Sequence, residues 1–274
     1  MKRAWLDEMT WEEAKEALKK TDIAVICCGA THPHGVACPL GTDTFIAQGM
    51  GERIGRKSNV IVVPPIHVGY NEYHMDFPGC INIPQQHLAD LYMDICESLH
   101  KWGIRKLIFL SPHGGNVSSI ENVAYHLRYE KGMLSALVSY ELAKQLDPEL
   151  EEIGGTEGLV DETAMMLYLR PDTAHPERDA GFKVKEGGGD FKKSFGPRLP
   201  VVSPRRWVKF GKGQIRVFTT SKDVSDSGGW AHTPKGADMS YATKELGERI
   251  IETAVNYIVE FIEEFRKAEI PPTY

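Results

Sequence analysis

The apolar positions of this chain fall into short unbroken runs separated by longer periodic stretches. Residues 23–28 (IAVICC), 59–66 (NVIVVPPI), 106–111 (KLIFLS) and 135–140 (SALVSY) are rich in branched or aromatic residues and show little alternation. That pattern predicts strands covered on both faces, the second of them stopped by Pro64-Pro65. Between the runs the spacing turns helical. Residues 43–56 carry Phe45, Ile46, Met50 and Ile54; residues 84–102 open at Pro84, repeat Leu88, Leu91, Ile95, Leu99 and Trp102, and stop at Gly103. Residues 117–131 predict a helix ended by Gly132. Residues 237–267 predict another, with Leu246, Ile250, Ala254, Ile258, Phe261 and Phe265 on its core stripe. The β-α-β-α-β-α-β order implies right-handed crossovers and a mainly parallel sheet, hence an α/β fold.

Residues 178–216 break this pattern. They are rich in Gly, Pro and basic residues and include EGGGDF. A loop or hairpin insertion over the sheet edge is expected there, acting as a connector, a lid or an oligomer contact. No internal repeat is present, and residues 1–274 read as a single domain.

Composition narrows the function. A chain of 274 residues, 42% hydrophobic and 26% charged, can bury a sizeable core. Its formal net charge of −6 argues against nucleic-acid and membrane-surface partners. No apolar run reaches the roughly 20 residues of a membrane span. The first residues, MKRAWLDEMTW, lack the apolar core of a signal peptide. Five cysteines without a regular framework suit a reducing compartment, so a cytoplasmic location is expected.

The chemistry-bearing residues follow the strand ends, where open parallel sheets bind ligands. After the first run come His32, His34 and Asp43 in CGATHPHGVACPLGTD. After the second come His67 and, in GYNEYHMDFPG, His74. After the third comes His113 in SPHGGN. His32 and His34 share one parity of an extended chain stiffened by Pro33. Imidazole and carboxylate are the usual ligands of zinc and its neighbours, although histidine pairs also occur as ordinary surface or core residues. Glu162 lies in the first turn of a helix from Val160, where a carboxylate also suits the helix dipole. Glu157 sits in a Gly-flanked loop as a candidate mobile acid or base. The turn Gly114-Gly115-Asn116 lacks the lysine of a phosphate loop, but its N–H groups at a helix start suit an oxyanion. There is no G-x-S-x-G elbow, and Cys38 has no activating neighbour in the sequence.

Taken in order, the PLGTD, FPG and HGGN pieces resemble the motif series of the creatininase (creatinine amidohydrolase) family. The counterparts are Gly29 to Asp43, Gly69 to Cys80, Ser111 to Asn116 and Glu157 to Ala164, with a late match at 226–237. The resemblance implies a creatininase-like three-layer sandwich with a mainly parallel central sheet. It also implies a homo-oligomer, a hexamer in the best-known members, and two divalent metal ions per subunit: zinc, with manganese or iron as alternatives. One ion would take His32, Asp43 and His113, the other His34, Asp43 and Glu162, with Asp43 bridging and a water activated as nucleophile. Glu157 and His74 are the candidate catalytic residues; Gly114, Gly115 and Asn116 are the candidate substrate-binding ones.

Three departures from the family pattern shape the functional expectation. His32 stands where the family has Glu, Ala37 where it has His, and Glu157 where it has the His of H-A-G. The first removes a carboxylate from the donor set; the others change groups that handle substrate. The expectation is a metal-dependent hydrolase that opens a small polar cyclic substrate, by ring C–C cleavage of a diketo-inositol (3-dehydro-scyllo-inosose). There an acid such as Glu157 would protonate a carbanionic leaving group. Hydrolysis of a cyclic amide or formamide is the alternative. A mononuclear metal lyase or isomerase, and a non-catalytic metal-binding scaffold, are the rivals.

Overall fold

The computed structural model describes residues 4–154, 159–179, 201–203, 207–210, 212–216, 218, 220–224 and 238–272. Strand β1 (Ile23–Cys28) lies between β2 (Ile61–Ile66) and β3 (Lys106–Leu110), and β4 (Leu134–Val138) pairs outside β3. All four run parallel, in the order β2-β1-β3-β4. The helices are α1 (Trp11–Leu18), α2 (Thr42–Ser58), α3 (Gln85–Lys101), α4 (Val117–Lys131), α5 (Leu142–Leu146), α6 (Pro148–Gly154), α7 (Leu159–Leu169), α8 (Ser221–Val224) and α9 (Lys244–Lys267).

Why the strand runs lack alternation is plain from β1. Ile23, Val25 and Cys27 pack into one apolar cluster, while Ala24, Ile26 and Cys28 pack into another, and all six are fully buried. Helices α2, α7 and α9 supply the first cluster; α3 and α4 supply the second. The result is the expected three-layer α/β sandwich around a parallel sheet. Helices α7 and α9 cross so closely that a Cβ on Gly247 would collide with the Ala164 carbonyl and the Met165 nitrogen. The helix ends are set locally. Thr10 and Glu13 close a capping box on α1, Thr243 Oγ1 accepts the Leu246 N–H at the start of α9, and Gly132 ends α4 at φ 66°.

Several expectations need correction. Pro64 and Pro65 do not stop β2, which runs on to Ile66. The strand is at the sheet edge, pairing with β1 and, through a single bridge at Val62, with Trp5, and the register with β1 slips by one residue between Ile26/Val63 and Cys28/Ile66. That bulge absorbs the missing donors. On α3 the buried stripe is Leu88, Tyr92, Cys96 and Leu99; Leu91 and Trp102 face outward. On α9, Ile262 enters the core and Phe261 stays at the surface, stacked on Phe265 at 5.1 Å. Strand β4 ends at Val138, and α9 starts at Lys244 rather than near 237. Within 178–216 the described pieces include β5 (Val201–Ser203), β6 (Trp207–Phe210) and β7 (Gly213–Arg216), which form an antiparallel sheet. Residues 180–200, 204–206 and 211 of that segment lie outside the described residues. Among the described residues, no helix is long and apolar enough to cross a membrane.

Candidate metal centre

Five side chains from four places in the fold meet beyond the carboxyl ends of β1 and β3. His32 and His34 leave β1, Asp43 opens α2, His113 follows β3, and Glu162 sits in the first turn of α7. Ligand atoms of His32, Asp43 and His113 lie within 4.8 Å of one another, and so do those of His34, Asp43 and Glu162. Asp43 belongs to both groups through different oxygens. Its Oδ2 is 2.7 Å from His32 Nε2 and 3.3 Å from His113 Nδ1; its Oδ1 is 3.3 Å from His34 Nε2. Glu162 Oε1 stands 3.9 Å from the same His34 nitrogen. The three imidazoles and Asp43 are buried.

The other nitrogen of each imidazole fixes what the cluster presents. His32 Nδ1 lies 3.0 Å from the Pro33 carbonyl, His34 Nδ1 3.0 Å from the His32 carbonyl, and His113 Nε2 2.9 Å from the Tyr70 carbonyl. A carbonyl oxygen only accepts, so these three nitrogens carry the protons. In the neutral ring, the nitrogens facing Asp43 then offer lone pairs. Three lone pairs and two carboxylates thus converge on one buried volume. Acceptors crowded in this way repel one another unless protons or a cation sit between them. Nitrogen and oxygen donors of this kind suit a divalent ion such as zinc. Gly115 leaves the necessary room: a Cβ there would strike His113 Nε2 and the Tyr70 carbonyl.

The electrostatics show the same pressure. Burial would raise the Asp43 carboxyl, but His34 and His32 outweigh it and hold it well below the usual range. Burial would lower His34, but Glu162 and Asp43 raise it to about 9. Glu162 is pushed up to about 7, by burial first, against the pull of His34. His32 falls to about 3 through burial and the neighbouring His34 and His113. Without a cation, the cluster therefore holds protons at His34 and Glu162.

A family model for creatininase (creatinine amidohydrolase) matches residues 7–262. The chain belongs to this family. It is 25% identical to the creatinine amidohydrolase of Pseudomonas putida, over 99% of both chains. It is 32% identical over 111 residues to 3-dehydro-scyllo-inosose hydrolase of Thermotoga maritima, a stretch covering 40% of this chain and 36% of that one. It is 30% identical over 156 residues to a mycofactocin precursor peptide peptidase of Mycolicibacterium smegmatis, covering 55% and 59%. The chain thus spans less than two thirds of each of these last two relatives. A crystal structure of creatinine amidohydrolase superposes with a TM-score of 0.72 over 100% of both chains, at 22% identity, a likeness of fold.

The remaining candidates divide within this creatininase-type site. His74 is buried, stacks on His32 with ring centroids 4.3 Å apart, and meets Ser221 Oγ at 2.6 Å through Nδ1. Asn116 is fully buried, and backbone groups occupy its amide. Its Nδ2 donates to the Gly29 carbonyl at 3.0 Å and its Oδ1 accepts the Tyr70 N–H at 3.2 Å. It therefore braces the loops beneath the site. Gly114 is exposed and Gly115 half-buried at the start of α4. His67 is exposed and stands in neither ligand group. Glu157 lies outside the described residues. Burial pushes the Cys38 thiol up to about 12, which disfavours the thiolate.

Sequence reasoning missed three supports, two of which span more than 140 positions of the chain. Ser221 reaches His74 across 147 positions. Asp179 accepts the Val36 and Ala37 N–H groups across more than 140. Buried Lys144 pairs with buried Asp161 at 2.5 Å, next to Glu162. Only the placement of Asp161 beside Glu162 was visible in the sequence.

Proposed function

We propose that residues 1–274 form one domain and act as a divalent-metal-dependent hydrolase on a small polar cyclic substrate, as a cytoplasmic homo-oligomer. The observation that carries this reading is Asp43, a buried carboxylate whose two oxygens face two separate donor groups. His32, Asp43 and His113 would hold one ion; His34, Asp43 and Glu162 would hold the second. Other creatininase structures are described in a Zn–Zn form and with Mn, which supports zinc or manganese in this role. Bound there, such ions would polarise a substrate carbonyl and acidify water.

The preferred reaction is ring opening of 3-dehydro-scyllo-inosose by C–C hydrolysis. Water adds its oxygen to the ring carbonyl carbon, the adjacent C–C bond breaks, and the departing carbon takes a proton. The product is an acyclic keto-acid. Two observations support this choice. The match to the inosose hydrolase reaches 32% identity over its aligned stretch. The five side chains also carry only two carboxylates, leaving two divalent ions under-neutralised, a setting that favours a developing enediolate. His74, a neutral imidazole because burial holds it well below the usual range, is assigned to proton handling beside His32. Glu157 is assigned the proton delivered to carbon.

Full-length likeness to a creatinine amidohydrolase favours a second reading, C–N hydrolysis of a cyclic amide or formamide. The two are separated by incubating zinc- or manganese-loaded protein with 3-dehydro-scyllo-inosose, creatinine and a formylated aminopyrimidine, and following products by NMR. An acyclic keto-acid is expected. Turnover of only an amide or formyl substrate replaces the first reading with the second.

A further inference from the structure

Between the two ligand histidines and α2 the chain makes a tight turn. His34 and Cys38 bridge across its base, and Gly35 adopts φ 65°. At its tip the Val36 and Ala37 N–H groups both donate to one atom, Asp179 Oδ2, at 2.9 and 2.8 Å. The Ala37 carbonyl accepts the His175 N–H at 2.7 Å. Asp179 is 3% exposed, so its charge depends on those donors, and the buried Ala37 amide depends on it in turn. Gly35 is required twice over. Its φ disfavours any side chain, and a Cβ would enter Asp179 Oδ2.

What this clamp joins is informative. Two other anchors of the histidine loop are local, His34 Nδ1 at the His32 carbonyl and the His32 N–H at the Leu40 carbonyl, while the Cys38 thiol meets Thr163 Oγ1 of α7 at 3.3 Å. Asp179 instead comes from the short segment that follows α7, the helix carrying Glu162. A chain of backbone hydrogen bonds, Arg170 to Met166, Thr173 to Arg170 and Asp179 to Pro176, keeps that segment folded. The clamp therefore ties the loop of His34 to the element of Glu162, its partner at 3.9 Å.

We propose that Asp179 is a positioning residue for one half of the metal centre, acting through the 34–38 turn to set His34 Nε2 against Asp43 and Glu162. This rests on the reading that the cluster holds divalent ions. The group of His32, Asp43 and His113 draws on β1, α2 and β3 and does not depend on α7, so the effect falls on the other group.

The test is a zinc titration of metal-free wild type, Asp179→Ala, Asp179→Asn and Gly35→Ala against a competing chelator, with circular dichroism of each metal-free protein. Asp179→Ala weakens one zinc site about 10- to 100-fold, as lost support for a ligand does, and leaves the other unchanged. Asp179→Asn restores the lost affinity, because one amide oxygen accepts both N–H groups. Gly35→Ala repeats the one-site loss with Asp179 intact, which keeps the test decisive if Asp179→Ala does not fold. Wild-type affinity in Asp179→Ala or in Gly35→Ala overturns the proposal. So does equal weakening of both sites accompanied by lost secondary structure, the mark of a general folding defect. Wild-type protein that takes up no zinc overturns the proposed function as well.

Discussion

At the scale of single residues, the site turns on which nitrogen of each histidine carries a proton. The carbonyls of Pro33, His32 and Tyr70 make that choice. Gly115→Ala is expected to displace His113 from the Tyr70 carbonyl and weaken metal binding about 10- to 100-fold; competition with a chromophoric chelator measures it. Zinc uptake should also release protons and strengthen as pH rises from about 6 to 9. The sign follows from the raised values at His34, about 9, and Glu162, about 7. In the metal-free protein Glu162 holds its proton up to about pH 7 and His34 up to about pH 9, and ligation must displace them. His32, at about 3, has none to give up. Calorimetry in buffers of different ionisation enthalpy counts the protons; uptake independent of pH would contradict the assignment. Much of this was legible in the sequence, because His32, His34 and Asp43 lie within twelve residues and the HGGN turn marks His113. Asp179 and Ser221 were not, since nothing local distinguishes an acid or a serine that acts 140 residues away.

At the scale of elements, the strand and helix runs were readable wherever burial dictates composition, and misread where one element faces solvent. Pro64-Pro65 looks like a stop, yet an edge strand with a bulge tolerates it. Leu91 and Trp102 fit a helical stripe but point away from the sheet, because α3 buries the neighbouring face of Tyr92 and Cys96. The crossing of α7 and α9 could not be read at all. Its signature is a single glycine, Gly247, against the Ala164 carbonyl. Since backbone rather than a flexible side chain opposes the new atom, Gly247→Ala should destabilise the fold by about 1–3 kcal/mol, seen as a lower denaturant midpoint. It should also shift Glu162, which α7 carries, and loosen zinc on that side.

At the scale of the whole molecule, the strand order β2-β1-β3-β4 sends α2 to one face of the sheet and α3 to the other. Loops therefore part above β1, and the ligands gather where they part. The metal would join the first layer, through Asp43 and Glu162, to the strand ends at His32 and His113. An ion that binds only the folded chain stabilises it by linkage, about 4 kcal/mol at a thousandfold excess over Kd. Chelation is then expected to lower the thermal midpoint by about 10 °C, and zinc should restore it; scanning calorimetry with and without chelator checks this. The hydrogen bonds that orient the three imidazoles carry a further consequence. Their acceptors are all main-chain carbonyls, which every amino acid possesses. Replacing the side chain of Tyr70 leaves its carbonyl in place, so Tyr70→Phe should bind zinc as the parent does. Heritable variation can thus pass through Tyr70 without disturbing the aim of His113, while His32, itself a ligand, and Gly115 and Gly35, which offer only space, are where it is stopped.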